Sequence, residues 1–243
     1  MPYHTLRTLL PTRYPKGVAP TRDAIAGTAF FPGGHGLWME DGEPRLPVGG
    51  IMVLGHGFHS EAEYSKSLQR GKEKLKVATW RNLIHLLEAA RIAPRDCFFT
   101  NFYMGMREGL TTTGTYPGST DPDFVSACQQ FFLEQLRQQR PKVILALGVH
   151  VPKQLAPLAP ELQPWGVATT LKDFNAPGMA VVRNVRFGGH AEAVHVVMLA
   201  HPSQRLLNLR HRSYKGAVGQ EAELGMIGDA LGRNWPIPAG STS

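Results

Sequence analysis

Three short segments of this sequence carry side chains able to bind, polarise or move protons, and each directly follows an apolar run. They are Gly55-His56-Gly57-Phe58-His59, Thr100-Asn101-Phe102-Tyr103 and His201-Pro202-Ser203. A glycine loop after a strand invites a dinucleotide site. Here, however, Ser60 stands where the third fingerprint glycine belongs, and Asn101 rather than an acidic residue ends the following strand. No nicotinamide or flavin cofactor is expected. His56, His59 and His201 offer imidazoles, but His-x-x-His in a loop with no carboxylate placed beside it is a poor metal signature, so no metal is expected. Cys97 and Cys128 fall within a strand and the apolar stripe of a helix, where a thiol acts as a small hydrophobe and not as a nucleophile.

The third segment says most. His201 opens directly into Gln204-Arg205-Leu206-Leu207-Asn208-Leu209-Arg210-His211-Arg212, within a stretch (residues 193–220) that contains no Asp or Glu. A titratable donor at a strand end is thus joined to cations suited to phosphates and to apolar side chains suited to wedging. A wedge entering a base stack costs unstacking energy, which backbone contacts and a pocket for the extruded base recover.

These segments need a scaffold, and the apolar periodicity supplies one. Residues 51–54, 97–100, 143–147, 179–185 and 194–200 read as strands, most of them apolar on both faces. Trp80, Leu83, Ile84 and Leu87 follow helical spacing, as do Phe124, Cys128, Phe131, Phe132 and Leu136 after the start signal Asp121-Pro122. A closing helix is expected over residues 220–233, with Leu224, Ile227 and Leu231 on one face. Strands alternating with helices argue for an α/β fold, a three-layer α/β/α sandwich around a short, mainly parallel sheet, with working residues at the strands' carboxyl ends. Residues 1–48, with Phe31-Pro32-Gly33-Gly34 and Glu43-Pro44-Arg45-Leu46-Pro47, read as an irregular arm packed on a domain spanning 49–243, and residues 105–119 as a loop.

Composition narrows the class. With 243 residues, 42% hydrophobic and 19% charged, the chain suits an ordinary globule that folds without disulfides or metal. Two cysteines are too few for a four-cysteine zinc or iron–sulfur site. No apolar run approaches the about 20 residues that span a bilayer, and the amino terminus lacks a secretory core, so a cytoplasmic protein without membrane contact is expected. A net charge of +7 favours a polyanionic partner. A second basic run, Lys66, Arg70, Lys72, Lys74, Lys76 and Arg81, broken only by Glu73, suits either phosphates or plain solvent.

The order of the motifs resembles that of the uracil-DNA glycosylase superfamily. The matching pieces are Ile51-Met52-Val53-Leu54-Gly55, Phe99-Thr100-Asn101, Arg140-Pro141-Lys142-Val143-Ile144-Leu145-Ala146-Leu147-Gly148 and His201-Pro202-Ser203. The resemblance implies a monofunctional glycosylase that flips out a pyrimidine and hydrolyses its N-glycosidic bond without a cofactor. It implies that Asn101 reads the base edge and that His201 stabilises charge on the departing base. It also implies that an aromatic such as Phe58 or Tyr64 stacks on the base. Ser203, Gln204, Arg205, Leu206, Arg210, Arg212 and Lys215 would hold the DNA and fill the gap. The expected partner is DNA and the expected state a monomer.

One departure stands out. His56 and Gly57 occupy the positions where the family carries Asp, Glu or Asn to activate water. His56, Glu61 or Glu63 is left to serve the water, or the protein is a catalytically silent nucleic-acid-binding module. His59 stands where uracil-specific members place the tyrosine that excludes 5-substituents, and Gly57 removes a side chain from the pocket floor. Together these suggest a bulky 5-modified pyrimidine, such as a glucosylated hydroxymethylcytosine of phage DNA, as well as uracil.

Overall fold

The computed structural model describes residues 8–21, 48–70, 74–110, 112, 114–188 and 192–233. The segments 31–34 and 43–47, with Lys72 and Glu73 of the second basic run, lie outside them. In chain order the main elements are β1 (Val18–Pro20), β2 (Ile51–Gly57), α1 (Glu61–Arg70), α2 (Ala78–Ala89), β3 (Cys97–Tyr103), β4 (Gly105–Arg107), α3 (Pro122–Gln139), β5 (Val143–Leu147) and α4 (His150–Leu155). Then follow β6 (Val181–Val185), β7 (Val194–Leu199), α5 (Arg205–Asn208), β8 (Ser213–Tyr214), β9 (Ala217–Val218) and α6 (Gly219–Ala230). The architecture is mixed α/β with mainly parallel strands, as the alternation of apolar runs and amphipathic helices requires. Among the described residues no helix is long and apolar enough to cross a membrane.

Two compact units divide the chain. The first takes the described residues within Met1–Lys74 and Cys97–Arg140. In it β2 and β3 pair in parallel, and all seven residues of β3 are buried, the apolar Cys97, Phe98 and Phe99 together with the polar Thr100 and Asn101. Helix α3 begins where Asp121 accepts the Phe124 N–H at 2.9 Å with Pro122 in the first turn, and ends at Arg140 in the left-handed conformation. Its buried face holds the expected Phe124, Cys128, Phe131, Phe132 and Leu136, and adds Gln135 and Gln139. The described part of the amino-terminal arm is more regular than its composition suggests. Pro15 to Val18 make a turn at Gly17, and β1 then pairs antiparallel with β4. Part of the expected 105–119 loop is therefore strand.

The second unit takes Leu75–Asp96 with the described residues of Pro141–Ser243. Strand β7 pairs in parallel with β5 and antiparallel with β6, whose register shifts between Val182 and Val185 around the left-handed Asn184. Trp165 is wholly buried, and its indole N–H donates to the Met179 carbonyl at 2.9 Å. Helix α6 stops at Ala230, short of the expected end, because the chain leaves helical geometry at the left-handed Gly232. Its buried face carries Glu223 among Ala222, Leu224, Met226 and Ile227.

Candidate active site

In the first unit the ends of β2 and β3 lie side by side, with Gly55 opposite Asn101 and Gly57 opposite Tyr103. Asn101 is buried, at the far end of a strand anchored by the preceding residue: Thr100 Oγ1 and the Gln135 side-chain amide of α3 exchange hydrogen bonds at 3.0–3.2 Å. Around Gly57 stands a cluster of rings. Tyr103 and Tyr116 stack at 4.4 Å and 3°, and the His56 imidazole meets them edge-on at 5.1 Å and 6.1 Å. Burial pushes the Tyr103 phenol up to about 12 and the Tyr116 phenol still higher, so both are neutral at physiological pH.

The expected cavity at Gly57 is not there. A Cβ at that position would lie 3.1 Å from Tyr116 Cε2 and 3.2 Å from its Cδ2, so the Tyr116 ring occupies the space that the glycine vacates. The segment after β2 leads quickly into α1. Phe58 is half-buried, His59 exposed, and Ser60 buried, with its hydroxyl accepting the Glu63 N–H. Glu61 and Tyr64 are half-buried in the first turn. Glu63 bonds Lys66 at 2.5 Å, which holds its carboxyl below the usual range and makes it a weaker base than an unpaired carboxylate.

In the second unit β7 runs out through Leu199 and Ala200 into His201, which caps the short helical turn Pro202–Gln204. The His201 Nδ1 accepts the Ser203 backbone N–H at 3.3 Å and lies 2.8 Å from the Ser203 hydroxyl. Both contacts tie the ring's Nδ1 edge to the turn, leaving the Nε2 edge as the one that faces away from Ser203. Two further contacts fix the turn. Asn82 of α2 donates to the Pro202 carbonyl at 2.8 Å, and Gly148, after β5, packs so tightly that a Cβ on it would fall 2.9 Å from His201 Cβ. Ser203 and Gln204 of the turn are exposed; beyond it Arg210 is exposed, and Leu206 and Leu207 stand 75% and 66% exposed.

The expectation that Arg205 and Arg212 grip phosphates is corrected here. Arg205 is 4% exposed and Arg212 1%, and both turn inward to Glu223, which is fully buried. Arg205 forms an ion pair with one carboxylate oxygen, and Arg212 Nε lies 3.7 Å from the other. The second guanidinium also donates to the Met198 carbonyl at 2.8 Å and to the Leu171 carbonyl and Asn175 Oδ1 at 3.1 Å each. Cations held this way have no surface to offer a polyanion. Lys215 is exposed but bonds Asp229 at 2.5 Å.

Tyr116, Gln135, Asn82, Asn175 and Glu223 were not anticipated. Of these only Glu223 left a signal: it lies four residues before Ile227, on the apolar stripe of the closing helix, where a carboxylate demands a partner.

A family model described as Uracil DNA glycosylase superfamily matches residues 59–220, a span that includes Asn101, Gly148 and His201. No curated protein matches the chain.

Proposed function

Because the chain belongs to the uracil DNA glycosylase superfamily, we propose that it is a monofunctional DNA glycosylase that extrudes a pyrimidine nucleotide and hydrolyses its N-glycosidic bond. Superfamily members act on DNA. The observation that carries the proposal for this chain is the tightly held turn at the end of β7 that carries His201, whose imidazole stabilises the carbonyl oxygen on which the departing base gathers charge. Asn101 supplies both a donor and an acceptor to the base edge. Phe58 or Tyr64 stacks on the base.

In the reaction the bond from the sugar carbon to the base nitrogen breaks and the electron pair leaves with the base. The oxocarbenium-like sugar draws stabilisation from the DNA phosphates. A water oxygen then bonds the sugar carbon, giving up a proton to His56 or Glu61. Leu206 fills the gap in the stack, and Ser203, Gln204, Arg210 and Lys215 contact the backbone.

Uracil is the first substrate to test. With the Tyr116 ring beside Gly57, an enlarged floor no longer argues for a bulky 5-substituent, and the exposed His59 is the remaining support for a glucosylated phage pyrimidine. The test is base release from DNA containing uracil, 5-hydroxymethylcytosine or its glucosylated form, by the wild-type protein and Asn101→Ala. Release from one substrate, lost in the variant, supports the proposal and names the base. A second possibility follows from the missing carboxylate at positions 56 and 57. Salt-dependent DNA binding with no release from any substrate would make the protein a silent binding module.

A further inference from the structure

Beneath the His201 turn lies an ionic cluster that the chemistry above does not use. Glu223 Oε1 accepts the Ala200 N–H at 2.6 Å, one residue before His201, while its other oxygen pairs with Arg205, which begins the helix just after the turn. Arg212 closes the cluster by donating to the Met198 carbonyl, two residues before Ala200. One carboxylate thereby holds both ends of the segment that carries His201, Pro202, Ser203 and Gln204. Asn175 extends the grip: its Oδ1 takes Arg212 and the Ser213 N–H, and its Nδ2 donates to the His211 carbonyl. Two guanidiniums share one carboxylate, and burial pushes both down to about 10, so the cluster keeps a net positive charge. Apolar side chains in such a place are often as stable as a buried ion triad, which points to conformational specificity as what this triad supplies.

We propose that Glu223 is a positioning residue for His201, setting the turn's geometry through the Ala200 N–H and the Arg205 guanidinium. This rests on the glycosylase function proposed above for its kinetic arm and stands apart from it for its spectroscopic arm. Glu223→Gln keeps an acceptor for Ala200 and removes the charge that holds the arginines.

The expected result is a single-turnover excision rate, measured at saturating protein, lowered about tenfold, and no additional loss in that rate when the same change is made in a His201→Ala background. Nitrogen chemical shifts of the His201 ring are expected to move, because Nδ1 loses its fixed contacts to Ser203 as the turn loosens. Arg205→Met removes the second anchor, leaves Glu223 paired with Arg212, and is expected to give the same ring signature should Glu223→Gln fail to fold. Equal losses in the wild-type and His201→Ala backgrounds would overturn the proposal, because a general packing defect acts without His201. So would an unchanged ring spectrum in both variants. If the wild-type protein excises nothing, the glycosylase function fails while the ring spectra still decide the positioning role.

Discussion

Burial of Arg212 reverses what its place in a basic stretch suggests, and replacing it with methionine separates the two. Arg212→Met keeps most of the apolar length and deletes the guanidinium. Lost are hydrogen bonds to Met198, Leu171 and Asn175 and the 3.7 Å contact to Glu223. Each buried acceptor left short of a donor costs about 1–3 kcal/mol, and removing one partner from a buried ion pair costs about 3–5 kcal/mol. These overlap, since Arg205 still faces Glu223, so the expected loss is about 3–5 kcal/mol. For a chain of this length that is a fall in Tm of roughly 6–20 °C at about 2–4 °C per kcal/mol.

Arg210, exposed in the same stretch, is the control. Arg210→Ala is expected to change stability by no more than about 0.5 kcal/mol, while lowering the salt slope of duplex binding by about 0.9 for one lost phosphate contact. Thermal unfolding and titration of a labelled duplex at several salt concentrations read both effects. Wild-type Tm for Arg212→Met together with a shallower salt slope would refute the burial argument and return Arg212 to the DNA surface.

Alkaline pH tests the aromatic cluster of the first unit. Cys128, pushed by burial from 9.0 to about 12, and the Tyr103 and Tyr116 phenols all have folded values above their unfolded ones. Their contribution to stability is full below about pH 9 and is lost as pH rises through 10 towards 12, because the unfolded chain releases these protons first. Tm followed against pH should fall over that window, and tyrosinate absorbance from Tyr103 and Tyr116 should appear only with unfolding; their ionisation near pH 10 in the folded protein would contradict the burial. Gly57→Ala sets a methyl 3.1 Å from a Tyr116 ring stacked against Tyr103, and should destabilise by about 1–3 kcal/mol in denaturant titration. An unchanged midpoint would mean that the space beside Gly57 is open after all.

What could be read from the sequence was what local pattern encodes. Residues 143–147 are apolar at every position because β5 is covered on both faces, and Asp121-Pro122 marked a helix start because cap and proline act within one turn. His201-Pro202-Ser203 was legible for the same reason: a strand, a proline and a hydroxyl within hydrogen-bond reach of the ring are neighbours in the chain.

Long-range pairing was not legible. Strands β1 and β4 are three residues each, too short for a period to show, and they stabilise one another only by meeting. Tyr116 sits in a segment of Gly, Thr and Pro that signals a turn, and nothing nearby says that its ring will pack on Gly57. Arg205 and Arg212 read as surface cations because the stretch around them lacks acids, while their counter-charge lies on the following helix. A local charge balance cannot see a partner that the fold brings in from elsewhere.

The glycosylase assignment itself is tested most directly by base release from a uracil-containing duplex, measured as free base and as alkali-dependent strand breakage, with wild-type and His201→Ala proteins side by side. Release of one base per broken strand by the wild type, reduced at least a hundredfold in a folded His201→Ala variant that binds the duplex with wild-type affinity, is the predicted result. Equal release by both proteins would remove His201 from the chemistry. Duplex binding without release from this or the modified substrates would contradict the enzyme and leave a binding module on the same fold.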